Sequence, residues 1–392
     1  MFRFLGKELI RFRSRATSTS NQVYFLQTQS LESSSINNSN SENQQSPTVS
    51  YLLSSCGFSL ESAISASKKI NIRSTEKSDS VLELFRTNGF TETQIKSFIT
   101  KRPSLLLSLP NKTLAPKIEF FKNLGLSSTE LAKFIHREPL VLLRGLENQI
   151  TSSCNFLRSF VQTDKNLVTV LNKSFRVIQC NIEKAMGPNI STLRNYGVPE
   201  SNIGRLLMIQ PSTLMLNNER FEETARLAKN MGFDPSTLGF VLAVRTMMVQ
   251  TESTLKRKME VLRSYGMPDE EILSAFKLQP MYLLASEQKL KNLMDFFVNN
   301  LNWKTSVVSR CPNLLLLSLE NRMIPRCSVL QVLMLKGLVE KDVNVVQVFK
   351  LTEKEFVKKY VTKYQDVVPE VVKAHQGKIE FKSFKQSNNV IS

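Results

Sequence analysis

Apolar residues recur at helical spacing along most of the chain, in stretches separated by glycine and proline. Ile118, Phe121 and Leu124 lie three residues apart and would share one face of a helix. After that stretch come a glycine, a second helical stretch, and a proline followed by leucines, an order that returns many times. The pattern predicts an all-α chain built from repeated pairs of helices.

The repeat has a regular period. Successive prolines are 36, 72, 69 and 32 residues apart, so each gap holds one or two units; they are Pro103, Pro139, Pro211, Pro280 and Pro312. A glycine lies 14 residues before the proline position in five units: Gly89, Gly125, Gly197, Gly232 and Gly266. Phe175 and Thr246 take the proline position in two units, while Val161 and Asn302 take the glycine position in two units. Units this short must stack to bury their apolar faces, which predicts a solenoid of about eight repeats, right-handed or left-handed.

The residues around each glycine and proline predict where the helices begin and end. A glycine past the first helix suits a left-handed C-terminal cap, because it has no Cβ. Thr91 with Gln94, and Ser127 with Glu130, should form capping boxes that start second helices, and Asp234 should cap another. The second helix should end just before the proline position, at Arg102, Glu138, Gln210, Gln279 and Cys311. The leucines that follow are predicted to be core residues: Leu105, Leu106, Leu142, Leu143, Leu283, Leu284 and Leu315.

Composition divides the chain into four segments. Residues 1–50 are predicted to be a transit peptide followed by a disordered polar linker, because the start is rich in arginine and poor in acids. A merely disordered basic tail is the alternative. Residues 51–80 form a helical segment that leads into the repeats, residues 81–361 form the repeat array, and residues 362–392 form a C-terminal helix and tail.

Charge and chemistry narrow the functional classes. Lys and Arg outnumber Asp and Glu by 52 to 34, which favours a polyanionic partner such as nucleic acid. No apolar run approaches the length of a membrane span, so no membrane partner is expected. The five cysteines have no CxxC spacing and the two histidines have no partner motif, so we expect neither metal nor cofactor. No Gly-rich phosphate loop, paired metal motif or nucleophile with a base beside it indicates an enzyme.

The repeat resembles that of a known family. A period of 32 to 36 residues, a glycine between two helices and a proline followed by leucines resemble the mitochondrial transcription termination factor (mTERF) family, in its plant organelle branch. Residues 48–107 are similar to the start of that branch and residues 351–379 to its ending. The resemblance implies a left-handed superhelix with three helices per repeat, the third being the proline turn, and a basic groove. Family members bind double-stranded DNA or RNA in mitochondria or chloroplasts, where they act in transcription termination, gene expression or intron splicing.

Basic residues recur in register with the proline position. Six of seven repeats carry a base nine or ten residues after it, and Asn148 breaks the series. With Arg257 added beside Lys256, these bases are here named the post-proline row: Lys112, Lys184, Arg220, Lys256, Arg257, Lys289 and Arg322. Five of seven repeats carry a base one or two residues before the proline position, and these are named the pre-proline row: Lys101, Arg102, Arg137, Lys173, Arg245 and Arg310.

We expect both rows to contact nucleic-acid phosphates. The alternative is a solvated face on which bases cap the C-termini of helices. No aromatic residues interleave with the rows, which disfavours a stacking platform for single strands.

These features predict an organellar nucleic-acid-binding protein that regulates transcription termination or initiation. Its partner would be double-stranded DNA or structured RNA, bound by a monomer alone or with the transcription or splicing machinery. The alternatives are an RNA-binding intron splicing or maturation factor and a protein-interaction scaffold. Arginine and large apolar residues dominate the first fifteen positions, which favours the mitochondrion over the chloroplast.

Overall fold

The computed structural model describes residues 46–381 together with residues 383 and 384. This described part consists of helices, turns and irregular segments and contains no strand, which confirms the all-α prediction. It falls into two compact units, one ending at Glu223 and the other beginning at Thr224. The predicted transit peptide lies outside the described residues, which begin just before the helix Pro47–Ser54.

Each repeat consists of two helices, followed in most cases by a short 3-10 turn. The first helices are Thr75–Thr87, Ala115–Asn123, Ser152–Val161, Ile182–Asn195, Asn218–Asn230, Glu252–Ser264, Glu287–Asp295 and Ile324–Leu335. The second helices are Glu92–Lys101, Ser128–Arg137, Asp164–Lys173, Glu200–Ile209, Leu238–Met248, Asp269–Leu278, Thr305–Arg310 and Val345–Lys350. The turns, here named proline turns, are Pro103–Leu107, Pro139–Leu143, Phe175–Ile178, Pro211–Met215, Pro280–Leu284 and Pro312–Leu316.

Other helical segments extend or flank the repeats. π-helical segments adjoin four of the first helices, at Pro110–Leu114, Leu146–Thr151, Phe296–Asn300 and Leu319–Met323. The helices Pro47–Ser54 and Leu60–Ser67 precede the first repeat. After the eighth repeat come Glu353–Phe356, the π-helical Val357–Thr362 and the helix Glu370–His375.

The predicted left-handed caps are present after the first helices. Gly125 has a φ of 96°, and the amide of the next residue, Leu126, donates to the carbonyl oxygen of Phe121 at 3.2 Å. Asn302 takes the glycine position in the seventh repeat and has a similar positive φ of 56°. That repeat therefore keeps the left-handed corner between its two helices. Where Val161 takes the glycine position, the left-handed residue is Gln162 with a φ of 66°. The β-branched valine stays inside the helix because the left-handed conformation is costly for it.

Two of the three predicted N-caps are confirmed. Thr91 and Ser127 both form complete capping boxes. The prediction for Asp234 was wrong, because the helix begins at Leu238 and Thr237 precedes it. The Asp234 carboxylate instead accepts the amide of Ser236 at 2.9 Å and forms a local turn. Such turns compete with helix caps for the same short acidic side chain.

The proline ends the second helix as predicted. The five residues before the prolines are C-caps outside helical geometry; Arg102, for example, has a φ of −142° and a ψ of 79°. Phe175 supports a 3-10 turn without proline. At Thr246, in contrast, the helix Leu238–Met248 continues through the corner, because threonine retains the backbone N–H and imposes no ring clash.

The proline turns bury the leucines that follow, but only some of them. Leu105, Leu106, Leu142, Leu283 and Leu315 are at most 2% exposed. The core prediction was wrong for Leu143, which is 38% exposed, and Leu284 is only half-buried. Since a 3-10 helix has three residues per turn, the third and fourth residues of these turns face the core and the fifth faces outward.

Candidate nucleic-acid interface

Three members of the post-proline row, Lys184, Arg220 and Lys289, lie in the first turn of a first helix. Lys112 and Arg322 lie in the π-helical segments that lead into a first helix, and Lys256 and Arg257 lie in the second turn of theirs. The backbone amide of Lys184 donates to the N-cap oxygen Oδ1 of Asn181 at 3.0 Å, and that of Lys289 donates to Ser286 Oγ at 3.1 Å. The Arg220 amide makes the same bond to Asn217. Because the cap geometry is shared, these three side chains leave their helices from the same turn.

Members of the post-proline row differ in how far their charge is already satisfied. Lys256 pairs with Glu252 at 2.6 Å, and Arg257 pairs with Glu287 at 2.8 Å. Lys289 Nζ donates to the Leu316 carbonyl at 2.9 Å. Arg322 likewise donates to the carbonyl of Leu351. These four bases therefore support the fold with the same groups that a phosphate would need.

Lys112 and Lys184 are the exposed members of the row whose ammonium groups have no partner within the described residues. A base in the first turn does not benefit from the helix dipole, whose positive end lies there. At each of these helix starts, the positive end of the helix dipole and the lysine side chain both contribute positive potential. Glu183 offsets part of this potential beside Lys184. Helix capping does not account for a lysine at this position.

The pre-proline row lies at the C-terminal ends of the second helices, where bases favour the dipole. The Lys101 ammonium donates to the carbonyl of His136, in the last turn of the next repeat's second helix. Arg137 makes the corresponding bond to the Asn172 carbonyl at 3.4 Å, with its guanidinium 4.8 Å from the centre of the Phe175 ring. Part of this row thus caps the neighbouring repeat, which is the structural alternative anticipated from the sequence.

The other members of the pre-proline row separate into exposed and half-buried residues. Arg102, Lys173 and Arg310 are exposed, and Arg102 contacts only the adjacent carbonyl of Lys101 within the described chain. Arg245 is half-buried in the helix that runs through Thr246, and burial lowers the pKa of its guanidinium. Its Nε and Nη1 have no hydrogen-bond partner among the described residues. Arg245 therefore does not share the exposed position of the others.

Comparison with known proteins identifies the repeat. The mTERF family model matches residues 82–280 and, in a second overlapping match, residues 147–357, together more than half of the chain. The chain belongs to the mTERF family.

The Arabidopsis thaliana protein named "Transcription termination factor MTERF15, mitochondrial" is similar to part of this mTERF chain. The two are 28% identical over 137 residues, which cover 34% of this chain and 30% of that protein. The matched region therefore spans less than a third of the relative's own length.

The mTERF repeats contain a buried polar position that the sequence analysis missed. Eight residues before the glycine position, the first helix carries Lys117, Ser153, Asn189, Thr224 or Lys258, each at most 6% exposed. Lys117 Nζ donates to the Leu142 carbonyl at 2.6 Å, and Asn189 Nδ2 donates to the Leu214 carbonyl at 2.9 Å. Both carbonyls belong to the fourth residue of a proline turn. The sequence did contain a signal for this buried position: a lysine that lies on the apolar face of a helix, at a fixed distance from the glycine.

A second recurring contact closes the corner between the two helices. An arginine three residues before the glycine position pairs with an acid three residues after it. The Arg86–Glu92 pair has a separation of 2.7 Å and the Arg194–Glu200 pair one of 2.6 Å. The same pairing joins Arg158 to Asp164 and Arg263 to Asp269. These arginines add to the positive charge of the sequence, but their guanidinium groups already hold carboxylates.

The C-terminal segment interleaves lysine with tyrosine outside either row. Lys359 Nζ lies 5.2 Å from the centre of the Tyr360 ring, and Lys363 Nζ lies 5.0 Å from that of Tyr364. The four side chains help line a cleft of about 260 Å³. Aromatic and basic residues are therefore adjacent in this segment, outside both rows of bases.

In the described part of the chain, no group of three or more His, Cys, Asp or Glu side chains could hold a metal ion. No helix of that part has the length and apolar character needed to cross a membrane.

Proposed function

We propose that this mTERF protein binds duplex nucleic acid of an organelle, with double-stranded DNA as the principal partner, and regulates transcription by occupying it. Family membership and the net charge of +18 support a polyanionic partner. The name of the Arabidopsis relative supports a role in transcription termination in the mitochondrion. Binding to structured RNA and a role in splicing are the alternative results that the experiments below can give.

The proposal depends on exposed bases in the first compact unit, the one that ends at Glu223. Arg102 and Lys112 flank the turn Pro103–Leu107, and Lys173 and Lys184 flank the turn Phe175–Ile178. All four side chains are exposed, and none is paired with a carboxylate in the described chain. Two equivalent turns of one unit thus present a base at each end, an arrangement that suits the repeating charge of a phosphate backbone.

The mechanism follows from the chemistry of these contacts. Lysine and arginine neutralise phosphates and release the counterions condensed on the nucleic acid, so affinity falls as salt rises. Phosphate contacts fix position and orientation without specifying bases. A bound repeat array would obstruct a polymerase that advances along the same duplex, and this obstruction is the proposed regulatory step.

The first test measures how the affinity for duplex DNA depends on salt. The variant carries Lys112→Gln, Lys173→Gln and Lys184→Gln together. The charge-matched control carries Lys96→Gln, Lys133→Gln and Lys165→Gln, which alter exposed lysines on second helices of the same unit. The slope of log K against log salt should become shallower by about 0.9 for each contacting base removed in the variant, and stay unchanged in the control. Equal slopes for variant, control and wild type would contradict the proposed rows.

The second test identifies the target. The tagged protein is crosslinked and immunoprecipitated from purified mitochondria, and the bound DNA and RNA are sequenced in parallel. Enrichment of DNA at a gene boundary would support transcriptional control. Enrichment of RNA within an intron would instead indicate a splicing factor, and enrichment of neither would favour an interaction scaffold.

A further inference from the structure

The proline turns leave an apolar side chain exposed at a recurring position. The fifth residue is leucine or methionine in five of the six proline turns of the described chain. In the turn Pro211–Met215 that residue is half-buried, and the exposed leucine is the next one. The leucines at the ends of these turns are here named the leucine row: Leu107, Leu143, Leu216, Leu284 and Leu316.

The exposure of the leucine row is similar from repeat to repeat. Four members are 37% to 39% exposed, and Leu284 is half-buried. Single exposed leucines are ordinary on a protein surface. One position that stays apolar and exposed in successive repeats is different, because it forms a regular surface feature that a ligand with its own regular spacing can contact.

The leucine row lies between the two rows of basic residues in the chain. Leu107 lies five residues after Arg102 and five residues before Lys112. Leu316 lies six residues after Arg310 and six residues before Arg322. An apolar side chain therefore separates a pre-proline base from a post-proline base at both of these turns.

Contacts place the leucine row beside the post-proline row in the folded protein. Lys289 Nζ donates to the carbonyl oxygen of Leu316, in the turn that closes the same repeat. The π-helical segment Pro110–Leu114, which contains Lys112, packs against the turn Pro139–Leu143 of its own repeat. The exposed leucine of a turn and the base of the adjoining first helix thus belong to one surface.

The chemistry of this surface matches a groove of duplex DNA. Two strands of phosphates border such a groove, and the basic residues on either side of the leucine row have the complementary charge. A helical turn fits the major groove, which is about 12 Å wide, better than the minor groove, which is about 6 Å wide. Leucine has no hydrogen-bond donor or acceptor, so it can recognise only an apolar group. The base pairs present one in the major groove, the C5 methyl group of thymine.

We propose that the leucine row contacts thymine methyl groups in the major groove of the bound duplex and thereby adds a preference for thymine to the phosphate contacts. The inference rests on the proposed function, since the basic rows must first hold the duplex. Uracil lacks the methyl group, and the major groove of an RNA helix is too deep and narrow for side chains to read. The leucine row therefore favours DNA over duplex RNA.

The experiment compares two A·T-rich DNA duplexes of one sequence, the first with thymidine and the second with deoxyuridine at every such position. The two duplexes have the same charge and differ only in the C5 methyl groups. Wild type should bind the thymidine duplex more tightly, by about fourfold for each methyl group that a leucine buries. Fluorescence anisotropy at one fixed salt concentration would measure both affinities.

The variants assign the preference to the leucine row. Leu107→Ala combined with Leu143→Ala should reduce the preference for thymidine and leave the salt slope unchanged, because no charge is removed. The same two positions changed to methionine keep an apolar side chain of similar volume and should retain most of the preference. The matched control is Leu60→Ala with Leu335→Ala, since these leucines are 43% and 62% exposed but lie outside the proline turns. The control should bind both duplexes like wild type.

The outcomes separate this inference from the function on which it rests. A wild type that binds both duplexes equally overturns the leucine contacts and leaves the proposed function intact. A preference that stays complete in the alanine variant, or that is lost equally in the control, also overturns them. A wild type that binds neither duplex overturns the proposed function itself, and the inference with it.

Discussion

The ammonium group of Lys258 donates a 2.6 Å hydrogen bond to the carbonyl oxygen of Leu283, which lies 25 residues further along the chain. The same ammonium donates to Gln250 Oε1 at 2.6 Å. Leu283 lies in a proline turn, and its backbone carbonyl is not used by the short 3-10 helix. A lysine buried in the first helix thus serves as the missing partner for the turn that closes its own repeat.

We predict that Lys258→Met destabilises the protein. Methionine keeps most of the side-chain volume but removes the donor, which leaves a buried carbonyl unpaired at a cost of about 1 to 3 kcal/mol. Urea unfolding followed by circular dichroism would measure the loss. Lys291→Met changes an exposed lysine of the next first helix and should alter the free energy of unfolding little. Equal stabilities for the two variants would contradict the structural role of Lys258.

The stability of the first unit should depend on pH through Lys117. Burial lowers the pKa of its ammonium group below the ordinary value of 10.5. Over the pH interval between the folded and unfolded pKa values, the unfolded chain binds more protons, so the free energy of unfolding rises with pH. We expect wild type to gain stability relative to Lys117→Met as pH approaches 10.5. If the free energy of unfolding changed with pH by the same amount in both proteins across this range, the effect would be excluded.

Gly204 should not tolerate a methyl group. A Cβ built on this residue would lie 2.6 Å from the carbonyl oxygen of Phe160, where two helices approach closely. We expect Gly204→Ala to lower stability by about 1 to 3 kcal/mol, since the obstructing atom belongs to the backbone. Gly239→Ala is the control: its Cβ would meet ordinary contacts at 3.5 Å or more, and alanine favours the helix. Thermal unfolding should shift down for the first variant and not for the second.

Bases of the same row should contribute unequally to nucleic-acid binding. We expect Lys184→Gln to weaken binding to duplex DNA and to reduce the salt slope by about 0.9, because its ammonium is exposed and unpaired among the described residues. Arg257→Gln should change the slope less, since Glu287 lies 2.8 Å from its guanidinium. Fluorescence anisotropy at several salt concentrations would measure both. A larger change of the salt slope for Arg257→Gln than for Lys184→Gln would contradict the division of the post-proline row into paired and unpaired bases.

The cysteines should react in an order set by burial. Burial raises the pKa of the Cys56 and Cys154 thiols to about 12, so few of them are thiolates in mildly alkaline solution. Cys327 is fully buried and its pKa is also raised. Cys180 and Cys311 are half-buried, so iodoacetamide should modify these two first in the native protein. Mass spectrometry after brief labelling would show the order, and early modification of Cys154 would contradict it.

The sequence by itself determined the repeat, because its markers act locally. A proline ends a helix through its own ring and missing N–H, and a glycine accepts a left-handed corner through its missing Cβ. Both effects need only neighbouring residues, so the ends of the second helices at Arg102 and Glu138 followed from the sequence. The turn at Asp234 and the continuous helix at Thr246 were not predicted from the sequence, because local conformations of similar free energy compete at these residues.

Only the tertiary structure decided which bases are free. Lys101, Lys117 and Lys184 look alike in the sequence, yet the first caps a neighbouring helix, the second is buried against a carbonyl, and the third is exposed. The difference depends on atoms about 25 to 35 residues away, brought close by the stacking of short units. Periodicity therefore predicts where a base recurs, whereas long-range packing determines whether its charge remains available for a ligand.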